Sequence, residues 1–172
     1  VYSLFVLTYY FAIEGYGFQL LWPKWVWLDQ RVERTASILI FTLSGYLTYT
    51  FLNLQDNSPR LGKLILYTSH CMLACAALAL IDVDFNRYIH IAVMAFVVPF
   101  TLTLFIVSLR LRNTHITGIR LFVLALGIKF LASIYFSIEI AIYGRYLGLY
   151  REIGDLLPII ILAVAFSSRI QD

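Results

Sequence analysis

Glu14-Gly15-Tyr16-Gly17-Phe18-Gln19-Leu20-Leu21-Trp22-Pro23-Lys24-Trp25-Val26-Trp27 decides how the rest of the chain is read. An apolar run carrying one carboxylate, Glu14, gives way there to two glycines, an amide and all three tryptophans of the protein. Tryptophan and tyrosine collect where hydrocarbon meets water, because their rings are apolar while their N–H or O–H needs a partner. Pro23 cannot continue a helix without losing a backbone hydrogen bond. The stretch reads as a membrane helix arriving at an interface, anchored by Tyr16, Phe18, Trp22, Trp25 and Trp27 around Gly17 and Pro23.

The composition agrees. Of 172 residues, 61% are hydrophobic and 13% charged, with a mean hydropathy of +0.83. A soluble domain is about 45–50% apolar and about 25% charged, so this is the composition of an integral membrane protein. The chain opens on Val1, already inside an apolar run and without a basic region before it, which suggests a piece of a longer protein and no signal peptide. The net charge of +3 is spread over the connections. It forms no basic block, which argues against a nucleic-acid partner and leaves the lipid bilayer as the expected one. Cys71 and Cys75 lie four apart on one helix face, where an ordinary disulfide does not fit. Small residues packing against a neighbouring helix explain them better than a metal site built on His70-Cys71…Cys75.

A spanning helix needs about 20 mostly apolar residues. Six runs qualify, at about 1–21, 35–54, 64–81, 88–109, 121–143 and 152–168. The connections between them carry the charges and turn formers: Lys24, Asp29, Arg31, Glu33 and Arg34, then residues 55–63, 82–87 and 110–120. Pro99 and Pro158 fall inside runs, which membrane helices tolerate with a kink. The connections are short and no soluble domain intervenes. The expected fold is an all-α integral membrane protein, one polytopic helical bundle over residues 1–172. Pooling alternate loops gives six Lys and Arg on each side, so the positive-inside rule does not orient the bundle. No internal repeat is apparent, against a transporter built from paired halves.

Ionisable residues inside a membrane run are costly and are functional candidates by default. Here they are Glu14, Lys129 and Glu139, with His70 and His90 as weaker cases. Glu14 lies roughly 10 Å below the tryptophan interface at about 1.5 Å per residue, and Glu139 lies near the same face. Lys129 and Glu139 are separated by about 15 Å along their helix and are not a contact pair. The functional expectation is a polar pocket of Glu14, Gln19 and Glu139 open to the tryptophan side, with Lys129 as a coupling charge. The competing one is that each is a satisfied bundle residue and that Lys129 snorkels. His70 and His90 lie at different depths, against a two-histidine haem. No Ser/His/Asp set, metal spacing or phosphate loop occurs, so neither catalysis nor a cofactor or metal is expected within this stretch. A Schiff base on Lys129 finds no supporting pattern, since the residue lies in the penultimate run.

Glu14-Gly15-Tyr16-Gly17-Phe18-Gln19-Leu20-Leu21-Trp22-Pro23 resembles the helix end and following loop of bacterial seven-transmembrane receptors with diverse intracellular signalling modules. Gly154-Asp155-Leu156-Leu157-Pro158-Ile159-Ile160-Ile161-Leu162-Ala163-Val164-Ala165-Phe166-Ser167-Ser168-Arg169-Ile170 looks like the last helix of that family. Two departures stand out. The family has seven helices against six runs here, the missing one falling before Val1. Where its last helix usually carries a glutamate, this chain has Pro158, so no role of that glutamate carries over. The resemblance implies a bacterial inner-membrane protein, with the tryptophan loop periplasmic and the 110–120 loop and C-terminus cytoplasmic. It further implies an extracytoplasmic sensing domain before the helices and an output module after them (a histidine kinase, diguanylate cyclase or phosphatase). Arg169 and Ile170 would begin the helix leading to that module, and a homodimer would be expected. The alternative from the intramembrane charges is a transporter or membrane-embedded enzyme subunit using Glu14, Lys129 and Glu139.

Overall fold

The computed structural model describes residues 7–8, 16, 19–20, 24, 26–81, 83–113, 116–143 and 149–170. Among them the regular structure is helical, with no strand: α1 Val26–Phe51, α2 Leu54–Asn57, α3 Pro59–Ile81, α4 Val83–Arg110, α5 Ile119–Tyr143 and α6 Leu149–Ile170. The five later apolar runs fall on α1, α3, α4, α5 and α6. The first run, 1–21, lies almost wholly outside the described residues.

The helices extend beyond their apolar runs. Helix α1 starts at Val26, so Asp29, Arg31, Glu33 and Arg34 belong to its first turns and not to a loop. A helix satisfies its own backbone in water and in hydrocarbon alike, so nothing obliges it to stop where apolar residues stop. Asp29, in the first turn, also suits the positive end of the helix dipole. The expected 55–63 loop is largely helical, because Pro59 opens α3, the position where its missing N–H costs nothing. The 82–87 loop gives way to the start of α4 at Val83. Expecting six full spans was only partly right. One described stretch, Pro59–Ala79, is long and apolar enough to cross a membrane. The apolar stretches Thr35–Phe51, Ala95–Arg110 and Leu156–Ser168 are shorter over the described residues.

The chain divides into two compact units, Val1–Leu47 with Lys63–Met94, and Thr48–Gly62 with Ala95–Asp172. In the first, α1 buries Thr35, Ser37, Thr42 and Ser44 beside Ala36, Ile38 and Ile40. The Thr42 hydroxyl donates to the Ile38 carbonyl at 2.9 Å and that of Ser44 to the Ile40 carbonyl at 2.8 Å. Such back-bonding satisfies a hydroxyl inside its own helix and lets small polar residues pack in an apolar interior. Helix α3 buries Ile65, Ser69, Met72, Ala76 and Ala79, a helical stripe, and exposes Leu64, Tyr67 and Leu78 on the other side. Tyr46 of α1 meets His70 of α3 edge-on, with ring centroids 5.5 Å apart.

The second unit holds a tight turn between α1 and α3. Asn53 adopts the left-handed conformation (φ 46°, ψ 52°), which asparagine tolerates better than most residues. Its Nδ2 donates to Asp56 Oδ2 at 2.6 Å, and Asn57 Nδ2 donates to the Leu52 carbonyl at 2.7 Å. Phe51, Leu52 and Leu54 are fully buried. They belong to a core with Val97, Phe100, Leu104 and Val107 of α4, Phe122, Ala125 and Leu126 of α5, and Leu162 and Ala165 of α6. Helices α5 and α6 pack directly on each other.

Candidate functional site

A close junction in the second unit lies where α5 begins and α6 ends. Gly118 precedes α5 with φ 77°, a conformation side-chain-bearing residues rarely adopt. Its carbonyl accepts from the Phe122 N–H at 3.0 Å, and the Ile119 N–H donates to the Ile116 carbonyl at 3.2 Å, closing the turn into the helix. A Cβ at Gly118 would lie 2.7 Å from the Ala165 carbonyl oxygen and 2.7 Å from Ser168 Oγ, both on α6. Only a bare backbone fits there. Ser168 Oγ in turn donates to the Ala165 carbonyl at 2.9 Å.

One turn into α5, Phe122 is fully buried and stacks on Phe51 at the end of α1, with ring centroids 4.2 Å apart and planes 5° from parallel. Phe166 of α6 meets both edge-on, at 4.9 Å from Phe51 and 6.5 Å from Phe122. Edge-to-face pairs at these distances add about 0.5–1.5 kcal/mol each beyond their buried area. Three helices are thus tied together within the last two turns of α6, immediately before Arg169 and Ile170. Beside this junction Arg112, Asn113, Thr117 and Arg120 border an open cavity of about 430 Å³. Among the described residues the arrangement offers no cluster of metal ligands. What it can do is hold one helix end against two others and pass on a displacement.

Of the residues singled out in the sequence, only some fall among the described side chains. Lys129 of α5 is 3% exposed, so it is buried and not snorkelled to a surface, and the Ser133 hydroxyl donates to its carbonyl at 2.8 Å. Gln19 and Tyr16 are exposed. Glu14, Gly17, Phe18, Trp22, Pro23 and Trp25 lie outside the described residues, as do the side chains of Trp27, Glu139, His90, Arg169 and Ile170, so the expected Glu14–Gln19–Glu139 pocket falls there too. His70 is exposed, with Nδ1 2.7 Å from the Leu66 carbonyl oxygen, to which it donates in the Nδ1–H tautomer. Cys71 and Cys75 are both free thiols. Among the described residues no group of His, Cys, Asp and Glu could hold a metal ion.

Gly118 and the three phenylalanines were not singled out by sequence. The Thr117-Gly118 pair ahead of an apolar run was the available signal for the glycine. Nothing distinguishes Phe51, Phe122 and Phe166 from the other phenylalanines of an apolar chain. Comparison with known proteins adds one finding: the family model described as 7TM diverse intracellular signalling matches residues 1–169. No curated protein and no solved structure matches the chain.

Proposed function

The chain belongs to the 7TM diverse intracellular signalling family, the membrane region of a signalling receptor, and from that premise we propose that it couples an extracytoplasmic sensing domain to a cytoplasmic output module. The module is a histidine kinase, diguanylate cyclase or phosphatase, and the chemistry belongs to it and not to these helices. The receptor sits in a bacterial inner membrane, with the 22–34 connection periplasmic and the C-terminus cytoplasmic, and works as a homodimer. The observation that carries this reading is the grip on α6. Gly118, Phe51 and Phe122 hold Ala165, Phe166 and Ser168 directly before the residues that lead out of the bundle.

The physical task is a two-state one. A ligand biases such a bundle only by its differential affinity for the two helix arrangements. Moving the population from 1:99 to 99:1 takes about 5.5 kcal/mol of that difference. A junction of packed rings and backbone contacts suits the task, because close-packed surfaces switch between discrete arrangements and do not deform continuously.

Sidedness is tested with Asn113→Cys, exposed before α5, in a receptor with Cys71 and Cys75 changed to serine. A membrane-impermeant maleimide should label it only after cells are opened. Labelling in intact cells would overturn the orientation. Coupling is tested by measuring output activity of the full receptor in membranes with and without its sensing domain. Equal activity would count against a coupler.

A further inference from the structure

We propose that α5 and α6 travel as one rigid antiparallel hairpin during signalling, so that Arg169 and Ile170 are displaced by movement of the pair and not by α6 sliding or turning against α5. The inference rests on the coupler reading and says which parts move together.

Two glycine contacts carry it. Near the start of α5, Gly118 comes so close to α6 that a Cβ would lie 2.7 Å from both the Ala165 carbonyl oxygen and Ser168 Oγ. Near the start of α6, a Cβ on Gly154 would lie 2.6 Å from the Ala132 Cβ of α5. Real Cβ atoms do not approach so closely, so at each place the bare glycine backbone lies directly against the neighbouring helix: Gly118 against the Ala165 backbone, Gly154 against the Ala132 methyl group. At about 1.5 Å per residue these contacts bracket about 21 Å of α5 and about 16 Å of α6. In a membrane, small residues are what allow helix backbones to approach, and the gain there is dispersion and not hydrophobic burial.

The same contacts oppose a shift in register between the two helices. A screw movement of one residue, about 1.5 Å along the axis with about 100° of rotation, would bring Ile153 or Asp155 to the place beside Ala132 where not even a methyl group fits. At the other contact it would bring Thr117 or Ile119 to the place of Gly118. Both collisions arise at once, near opposite ends of the shared length, so tilting the helices to relieve one does not relieve the other. Phe51 supplies a third observation. It touches Phe122 of α5 and Phe166 of α6 at the same level, so the end of α1 meets the two helices as a single surface.

The test uses the full receptor in membranes with Cys71 and Cys75 changed to serine, so that labels go only where intended. Spin labels are placed at Leu124→Cys on α5 and Ile160→Cys on α6, which are 52% and 61% exposed. Sensing-domain variants are selected for high and for low output, and the label-to-label distance is measured in each by pulsed electron resonance. The inference expects output to differ while the distance distribution stays within about 1 Å, less than the rise of one residue. A difference in output accompanied by a shift of about 1.5 Å or more, or by a second distance, would overturn the rigid hairpin and leave the coupler reading standing. If no sensing-domain variant changes output, the coupler reading fails and the inference falls with it.

Discussion

Helix α3 and the α5–α6 pair are made of the same kind of apolar sequence and are held to different extents. Helix α3 buries one stripe, from Ile65 to Ala79, and leaves Leu64, Tyr67, His70, Cys71 and Leu78 facing outward. Its middle meets α1 through side-chain ends, Tyr46 against His70, and only its first turn is held closely at a glycine, where a Cβ on Gly62 would lie 3.1 Å from the Leu54 carbonyl oxygen and 3.2 Å from the Tyr49 ring. The α5–α6 pair is held at Gly118 and Gly154, where backbone meets the neighbouring helix and no larger residue fits. Side-chain contacts can be remade after a small shift, whereas backbone contacts at glycine cannot. Helix α3 is held closely at one end, whereas α5 and α6 are held near both ends of their shared length, and a pair attached so carries displacement intact.

Substitutions sharpen this contrast, and Phe122→Ala should have the largest effect. It removes a fully buried ring stacked at 4.2 Å on Phe51, and deletions of that kind cost about 3–5 kcal/mol. Thermal unfolding of the purified protein in detergent should show it. A loss below about 1 kcal/mol would mean that the junction packs more loosely than described. Next come Gly118→Ala and Gly154→Ala. Each adds a methyl group where there is no room, at a typical cost of about 1–3 kcal/mol. Gly118→Ala adds about 1–2 kcal/mol for the left-handed backbone, so it should be the worse of the two, and the reverse order would question the φ of 77°.

Smaller still is Asn53→Ala. It removes the Nδ2 bond to Asp56 and leaves alanine in the left-handed region, a combined loss on the order of 1–2 kcal/mol in the same assay. The smallest effect belongs to α3. Tyr67→Ser, at an outward position 67% exposed, should fall within about 0.5 kcal/mol of the parent. A larger loss there would show that the outward face of α3 is covered in the assembled receptor, and the contrast between the two regions would narrow.

The sequence was informative where hydrocarbon dictates residue type. Runs of Leu, Ile, Val and Phe marked α1, α3, α4, α5 and α6, because each needs an apolar surface whatever it packs against. The stretches around Trp22 and Ala165 were distinctive enough to suggest the family, and the match over residues 1–169 bears that out. Helix limits were less legible. The charged turns from Asp29 to Arg34 carry no apolar signal, although their backbone is helical like the rest of α1. The junction was illegible for a different reason. Whether Phe51, Phe122 and Phe166 meet depends on long-range packing, and a glycine announces freedom of conformation without saying which neighbour needs the space. Lys129 shows the same limit. Its run was plain, but only the packing decides whether its amine is led outward or buried, and it is buried.

The central claim is that α6 delivers the signal, and one insertion tests it most directly. A single alanine placed between Ile170 and Gln171 of the full receptor turns everything beyond it by about 100° and advances it by about 1.5 Å, leaving residues 1–170 untouched. Output activity should be driven to one extreme and cease to respond to sensing-domain variants, while a second and third insertion totalling about one helical turn should restore part of the response. Output that follows the sensing domain unchanged through one, two and three insertions would show that α6 is a passive tether, and the account would be wrong.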